Sequence, residues 1–258
     1  MRFLSPRGRA SAFVGLFASL ALCHVATTGW AGNFQVNPTQ VFLSAKTSSA
    51  LLTLRNDSDD PLRFQLSIFA WNQSSQGEVL LNPTDDVVFF PSLVIVAPGD
   101  ERKIRVGALT PTTSSEKTYR IFVEELPPMK PKVTETGSQV RLLTRLGIPI
   151  FHQPDTRKIE GSVDEMALRN GQFSFRLKNT GNVHFVPQDI RVRGYGHGET
   201  LFERELEAWY ILADGLKVYE LDVPKYECAK ISTVAVEVKV AESMLKETFD
   251  IPPGSCSK

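Results

Sequence analysis

Leu62-Arg-Phe-Gln-Leu-Ser-Ile-Phe-Ala-Trp71 is the stretch that decides the fold class of this chain. Every second position from Leu62 to Ile68 is apolar, and the positions between them are polar or charged. Strict alternation places one set of side chains on each face of a β-strand. The run Asn56-Asp-Ser-Asp-Asp-Pro61 before it is rich in turn-forming residues, so the pattern predicts a strand entered from a turn.

Similar short β-type runs surround this stretch, and no helical pattern separates them. In the first half they cover residues 50–55, 87–90, 93–96, 103–106 and 119–126. After a junction at residues 153–156 the pattern restarts at 172–178, 183–193, 218–221 and 231–240. This spacing predicts an all-β chain of two antiparallel sandwiches, residues 32–154 and 155–258.

The first residues have the pattern of a secretion signal. Arg2, Arg7 and Arg9 precede an apolar run at residues 10–26, and small residues end at Ala31. The alternative is a membrane anchor, but the apolar run is shorter than the ~20 residues that span a bilayer. We therefore expect residues 1–31 to be a cleaved signal peptide, and a mature protein that is exported and not inserted in a membrane.

The charge and the cysteines narrow the function classes. The chain carries 29 basic and 29 acidic residues, which argues against a nucleic-acid-binding protein. Cys23 is lost with the signal, so Cys228 and Cys256 remain and are expected to form one disulfide in an oxidising compartment. A redox or metal pair is the alternative, but its usual short spacing is missing.

The sequence offers no recognisable catalytic site. His152, His184 and His197 share no metal-type spacing with one another or with a cysteine, and no phosphate loop or nucleophile elbow occurs. The adjacent pairs Asp85-Asp86 and Glu124-Glu125 would point to opposite faces of a strand. We therefore expect a protein that is not an enzyme and has neither metal nor cofactor.

A long apolar strand follows a charged, proline-rich segment. Residues 127–137 predict an exposed loop, and residues 138–151 then alternate over an unusual length. The alternate positions of this strand are Val140, Leu142, Thr144, Leu146 and Ile148.

A series of short motifs then resembles a known family. In order these are Asn37-Pro-Thr-Gln-Val-Phe-Leu43, Leu52-Thr-Leu-Arg-Asn56, Phe69-Ala-Trp71, Pro83-Thr-Asp-Asp86, Ala97-Pro-Gly99, Arg105-Val-Gly107, Tyr119-Arg120, Leu126-Pro-Pro128 and Asn179-Thr-Gly-Asn182. Together they resemble the periplasmic pilus-assembly chaperones of the chaperone–usher pathway, particularly its archaic branch.

This resemblance implies a fold and a function. The two sandwiches would be immunoglobulin-like and set at an angle, with a cleft between them. The protein would bind pilus subunits (pilins) in the periplasm, lend each incomplete subunit a strand, and deliver it to an outer-membrane usher. The residues of the long strand from Val140 to Ile148 would be the donors. After Leu146 the alternation fits completion of the protein's own core equally well.

The expected carboxylate anchor departs from the family pattern. Relatives hold the subunit's C-terminal carboxylate with an arginine on the first strand and a lysine on the last, but these places fall at Gln40 and near Pro149. If Leu126 pairs near position 138, Arg120 lies near Thr144 and Arg145. We therefore expect Arg120 and Arg145, assisted by Gln40, to form the anchor. Alternatively, Arg120 pairs with an acid such as Glu116, and Arg145 is solvated.

Two other classes compete with the chaperone. A secreted adhesin or a structural pilus subunit would also be exported and rich in strands. It is disfavoured because a second complete sandwich with its own cysteine pair follows the candidate donor strand. A periplasmic hydrolase with a β-sandwich fold would need a clustered acid–base site, for which the sequence gives no signal.

Overall fold

The computed structural model describes residues 34–74, 76–129 and 142–256, and almost all of its regular structure is β. The predicted signal peptide at residues 1–31 lies outside the described residues. So do most of the predicted loop at 127–137 and the donor candidate Val140.

The first domain contains ten strands in two sheets. One sheet has the order β1-β3-β8-β6, and the other has the order β2-β10-β9-β4-β5 with β7 also paired to β4. Their bounds are β1 (Phe34–Asn37), β2 (Val41–Leu43), β3 (Ser49–Asn56), β4 (Leu62–Gln73), β5 (Val79–Asn82), β6 (Val87–Phe90), β7 (Leu93–Val96), β8 (Glu101–Ala108), β9 (Lys117–Leu126) and β10 (Arg145–His152).

The alternation seen in the sequence builds the core between these sheets. Phe64 and Leu66 of β4 are at most 3% exposed, and they face buried residues of β3 and β8 such as Leu52 and Ile104. The intervening polar residues of each strand point to solvent, which is why period-two patterning was sufficient to predict the sandwich.

The second domain is also built from two sheets, but it has seven strands instead of ten. Its sheets have the orders β11-β12-β15 and β14-β13-β16-β17. The bounds are β11 (Gly161–Arg169), β12 (Gln172–Asn179), β13 (Asp189–Gly196), β14 (Glu199–Glu205), β15 (Leu216–Asp222), α1 (Lys225–Cys228), β16 (Thr233–Val240) and β17 (Ser243–Asp250). The predicted boundary after residue 154 falls between β10 and β11.

One strand of the second domain starts later than predicted. The run at 183–193 was expected to be continuous, but β13 begins at Asp189, and Phe185 makes only an isolated bridge with Ile211. Pro187 lies between them, and proline has no backbone N–H to continue a ladder.

The predicted disulfide is present. Cys228 of α1 is bonded to Cys256, 28 residues later, and so holds the C-terminal segment against the second core. In the described part of the chain, no helix is long and apolar enough to span a membrane.

Candidate functional site

Strand β10 has an open edge. It pairs with β9 along its whole length, but on the other side it pairs only with β2, at Ile150, Phe151 and His152. Among the described strands, none pairs with Arg145 to Pro149 on that side. The first domain therefore presents unpaired backbone groups beside its core.

Backbone hydrogen bonds show which groups point to this open edge. The Thr144 carbonyl accepts a bond from Glu125 N–H, whereas Gln153 N–H donates to Leu43 of β2. Because backbone groups alternate in direction along a strand, even-numbered residues bond to β9 and odd-numbered residues point to the open edge. Arg145 and Gly147 thus offer N–H and C=O groups there, while Pro149 offers only its carbonyl.

The donor candidates fall into three groups. Leu142 and Leu146 are 87% and 38% exposed, and Thr144 is partly buried between them. Ile148 is only 4% exposed and packs in the first domain's own core, opposite Ile121. Of the apolar candidates among the described residues, Leu142 and Leu146 are therefore the ones that the structure leaves available to a partner.

The predicted pairing of β9 with the donor strand is wrong. Arg120 lies opposite Pro149, and Arg145 lies opposite Glu124, so the two arginines are four residues apart along the hairpin. A four-residue separation along a strand is about 13 Å. The prediction assumed that the strand begins at residue 138, whereas β10 begins at Arg145. With the predicted pairing, Arg145 would also lie opposite the buried Tyr119, on the core face.

Arg120 lies over an aromatic platform. Its guanidinium carbon is 4.1 Å from the centroid of a Trp71 ring, and burial lowers the pKa of this guanidinium. A methyl group at Gly147 would lie only 3.0 Å from Arg120 Cδ, so the glycine leaves room for the arginine side chain. Arginine remains cationic at physiological pH even so.

Two donors at this position have no acceptor. Among the described residues, neither Arg120 Nε nor the indole Nε1 of Trp71 has a hydrogen-bond partner, although both atoms are buried. Glu116, the acid considered as a partner for Arg120, instead accepts a 2.6 Å bond at Oε1 from His184 Nδ1. Buried donors without partners are uncommon in native structures, and each one calls for an explanation.

Gln40 lies between β1 and β2, near the aromatic residues that surround Arg120. Its Nε2 donates a 2.5 Å hydrogen bond to the Tyr210 hydroxyl, and the Tyr210 ring lies 5.3 Å from the Trp71 ring over which Arg120 is placed. Two of the three predicted anchor residues, Arg120 and Gln40, are thus brought together around Tyr210. The third, Arg145, lies apart, 3.5 Å from Glu124 and over the Phe122 ring.

The junction between the domains is rigidly packed beside this site. Trp71, Phe151 and Leu212 form a buried cluster with Tyr210 packed against it. Gln73 reinforces it by donating to the Tyr210 carbonyl and accepting from Leu212 N–H, both at 2.8 Å. Sequence reasoning missed Tyr210, whose only signal was an aromatic pair with Trp209 between the strands.

A polar concavity of 410 Å³ is lined by residues of both domains, among them Gln73 and Leu212. Asp86 lines it and accepts hydrogen bonds from Tyr119 and Lys117, at 2.9 and 3.1 Å. These bonds, that of Tyr119 first, lower the pKa of Asp86. No group of three or more His, Cys, Asp or Glu side chains in residues 34–74, 76–129 and 142–256 could hold a metal ion.

Comparison with known proteins identifies the first domain. Residues 33–158 match the family described as pili and flagellar-assembly chaperone, PapD N-terminal domain. A search of curated protein sequences found no match.

Solved structures resemble the whole two-domain chain. One is the CsuC–CsuE chaperone–tip adhesion subunit pre-assembly complex from archaic chaperone-usher Csu pili of Acinetobacter baumannii, at 17% identity and TM-score 0.58, covering 85% of this chain and 98% of that chain. Another is the Salmonella enterica SafA pilin in complex with the SafB chaperone, at 14% identity and TM-score 0.54, covering 85% and 97%. The class 5 fimbriae chaperone CfaA matches at 16% identity and TM-score 0.53, covering 86% and 100%. These likenesses confirm the fold class, two immunoglobulin-like sandwiches.

Proposed function

We propose that this chain, which belongs to the pili and flagellar-assembly chaperones through its first domain, binds pilus subunits and completes their fold with its own edge strand. The observation that carries this proposal is the open edge of β10 at Arg145 to Pro149. An unpaired edge is an association hazard that proteins normally cover. Here it is left open beside exposed leucines, as a strand donor requires.

The donated segment combines backbone and side-chain recognition. Arg145 and Gly147 supply hydrogen-bonding groups to a strand of the subunit, while Leu142 and Leu146 fill the groove left by its missing strand. Thr144, between them, contributes a smaller side chain, and Val140 extends the series. Ile148 supports the donor segment from within the first domain's core.

The subunit's C-terminal carboxylate is held by Arg120 and Gln40. The lysine place of the family pattern falls near Pro149, and Arg120 lies directly opposite Pro149 on β9. Since opposite residues of an antiparallel pair share a face, the arginine delivers a cation to the same place from the neighbouring strand. Its unpartnered Nε supports this role, because a buried guanidinium is best satisfied by a carboxylate.

The protein works in the periplasm and hands its subunit to an outer-membrane usher. A predicted secretion signal and the Cys228–Cys256 disulfide support export to an oxidising compartment. The work is non-enzymatic: binding energy keeps the subunit folded until transfer. Similarity to chaperone structures over both domains favours this reading over a secreted adhesin or pilus subunit.

The experiment is co-expression of the chain with a candidate pilin, followed by co-purification from the periplasm. Arg120→Ala is expected to reduce capture at least about tenfold, because one charge-assisted pair is lost at a buried site. Arg145→Ala is the matched control, since Arg145 belongs to the same hairpin but pairs with Glu124. Its capture is expected to equal that of the wild type.

Two results would contradict this account. Equal capture by Arg120→Ala and wild type would show that Arg120 is not the carboxylate anchor. This result would not contradict strand donation. Failure of the wild-type chain to retain any candidate pilin, with the mature protein folded and its disulfide formed, would remove the chaperone function itself.

A further inference from the structure

Gly147 of β10 has no room for a side chain. An ideal Cβ at Gly147 would lie 2.9 Å from Cε1 of Phe122, and 3.0 and 3.4 Å from Cδ and Cγ of Arg120. Carbon atoms in contact normally lie about 3.5 to 4.0 Å apart, so even a methyl group here would force a neighbour to move. The φ angle of Gly147 is not positive, and the residue pairs regularly with Phe122 of β9. The glycine is therefore required for space and not for backbone conformation.

Arg120 is confined from the opposite direction. Its strand β9 lies between β10, which carries Gly147, and β4, which carries Trp71. The Arg120 guanidinium carbon is already 4.1 Å from the centroid of a Trp71 ring, and Trp71 is 0% exposed. A side chain at Gly147 would therefore displace Arg120 from its place over this ring.

The second neighbour, Phe122, is in contact with two other side chains. Its ring centroid is 5.9 Å from that of Phe69, and the Arg145 guanidinium carbon is 4.0 Å from it. An arginine side chain rotates about more bonds than a phenylalanine ring held by such contacts. Arg120 would therefore take most of the displacement.

The position of Arg120 matters because packing holds it. Among the described residues, its buried Nε has no hydrogen-bond partner that would keep the guanidinium in place. A guanidinium binds a carboxylate best when its planar fork meets both oxygens, so its orientation decides the strength of the pair.

We propose that Gly147 is a positioning residue of the carboxylate anchor, because its missing side chain lets Arg120 lie over Trp71, where it binds the carboxylate of the subunit. The inference rests on the proposed function, which takes this carboxylate to be held by Arg120. It gives β10 a second role. The strand pairs with the subunit through its open edge, and through Gly147 it also sets the geometry of the anchor on β9.

The first test is competition for a pilin in the periplasm. The wild-type chain and a variant with a different tag are co-expressed with one candidate pilin, and the pilin recovered with each is compared. Gly147→Ala is expected to lower relative capture about threefold and Gly147→Val about tenfold, because a larger side chain displaces Arg120 further. Gly107→Ala on β8 is the matched control, since a Cβ there would lie 3.6 Å from its nearest neighbours, an ordinary contact distance.

A double-mutant cycle separates positioning from a general effect on the strand. In the Arg120→Ala background, neither Gly147→Ala nor Gly147→Val should lower capture any further, because the side chain that they displace is gone. A defect of β10 itself would lower capture in both backgrounds.

Nuclear magnetic resonance of the free mature chain measures the position of Arg120 without a pilin. An aromatic ring moves the resonances of protons above it upfield, so the Arg120 side-chain protons should resonate upfield of those of solvated arginines. Gly147→Ala should reduce this upfield shift, and Gly107→Ala should leave it unchanged.

The outcomes separate this inference from the proposed function. Wild-type capture by both Gly147 variants, or an unchanged upfield shift in Gly147→Ala, overturns the inference and leaves the anchor in place. The same holds if the Gly147 variants lower capture equally in the Arg120→Ala background, or if Gly147→Ala unfolds the first domain. Equal capture by the single variant Arg120→Ala and the wild type overturns the anchor itself.

Discussion

The described strands of the two domains present different kinds of side chain to solvent. The first domain exposes large apolar side chains on its strands, among them Phe90 at 77% and Leu93 at 54%, in addition to Leu142. The outer face of sheet β14-β13-β16-β17 in the second domain carries charged residues that pair with one another. Arg191 and Arg193 lie on β13, and most of the acids that pair with them lie on the flanking strands β14 and β16.

The charged face satisfies itself. Arg193 bonds to Glu203 at 2.7 Å and to Glu237 at 2.9 Å, and Lys246 approaches Glu237 to 2.9 Å. The hydrogen bond from Arg193 is the main cause that lowers the pKa of Glu203. Arg191 lies 3.1 Å from Asp189 and 3.0 Å from Glu203 in the same network, although its Nε makes no hydrogen bond. Ion pairs of this density suit a surface that stays in water.

From this difference we expect binding and stability to be separable in this protein. The first domain has an open strand edge with exposed leucines beside it, whereas the second domain has a network of ion pairs and a disulfide. Changes at the edge of β10 should therefore alter capture without altering folding. Changes in the second domain should do the reverse.

The largest effect is expected from a charge on the donor segment. Leu142→Asp should abolish subunit capture, because forcing an unpaired carboxylate into an apolar groove costs several kcal/mol, on the order of a hundredfold or more in affinity. Since Leu142 is 87% exposed, the fold should be unchanged. Co-purification of the pilin measures capture, and circular dichroism of the variant measures whether its fold is unchanged.

Met244→Asp is the matched control in the second domain. Met244 is 48% exposed on edge strand β17, so the same charge there should leave capture at the wild-type level. Retention of subunits at wild-type yield by Leu142→Asp would show that the donor assignment is wrong. Ile148→Asp should instead unfold the first domain, since Ile148 is 4% exposed.

The second effect concerns the disulfide, which closes 28 residues of the second domain. Replacing both Cys228 and Cys256 by serine should lower the free energy of unfolding by about 3 to 4 kcal/mol, from the chain entropy that the bridge removes in the unfolded state. Urea unfolding under non-reducing conditions measures it. Capture by the fraction that remains folded should equal that of the wild type. A loss of capture by this folded fraction would contradict the expectation that the second domain contributes to stability and not to binding.

A smaller effect is expected at Asp86 in the first domain. Because Tyr119 and Lys117 lower its pKa in the folded state, the unfolded chain binds a proton there more readily. This stabilisation is fully present above the unfolded pKa of about 4 and is lost as the pH falls through the lower folded pKa. Asp86→Asn should therefore cost about 1 kcal/mol at pH 7, and the cost should shrink as the pH falls below about 4.

Glu203→Gln is the counterpart on the charged face and should have the smallest effect. The carboxylate of Glu203 is 44% exposed, and salt screens exposed pairs. The measurement is the thermal unfolding midpoint of Asp86→Asn and of Glu203→Gln, at low and at high ionic strength. If Glu203→Gln destabilised the chain more than Asp86→Asn did, the charged face would be a source of stability rather than a solvated surface.

The sequence predicted the sandwiches well because period-two alternation is a local property. Leu62 to Ile68 predicted β4 and its buried face, and the two remaining cysteines predicted their bond. Strand pairing, in contrast, depends on residues that are far apart in the sequence. The length of the loop after Leu126 decides which residues of β9 and β10 meet, and the pattern gave no means of finding where β10 begins.

The candidate site was predicted in part for the same reason. Arg120 and Gln40 were identified from residue type and from the family pattern, and both lie close to Tyr210, Gln40 through a hydrogen bond and Arg120 through the Trp71 ring. Their meeting point depends on a residue of the second domain, about 90 positions after Arg120 in the sequence. Arg145 was misplaced because its position depended on the incorrect register.

The most direct test of strand donation is amide hydrogen exchange, residue by residue, in the free chain and in its complex with a captured pilin. The account predicts strong new protection at Arg145 and Gly147, whose N–H groups point to the open edge. Leu146 and Ile148, which already bond to β9, should change little, as should the edge strand β17 of the second domain. Unchanged exchange at Arg145 and Gly147 in a stable complex would contradict the claim that β10 completes the subunit.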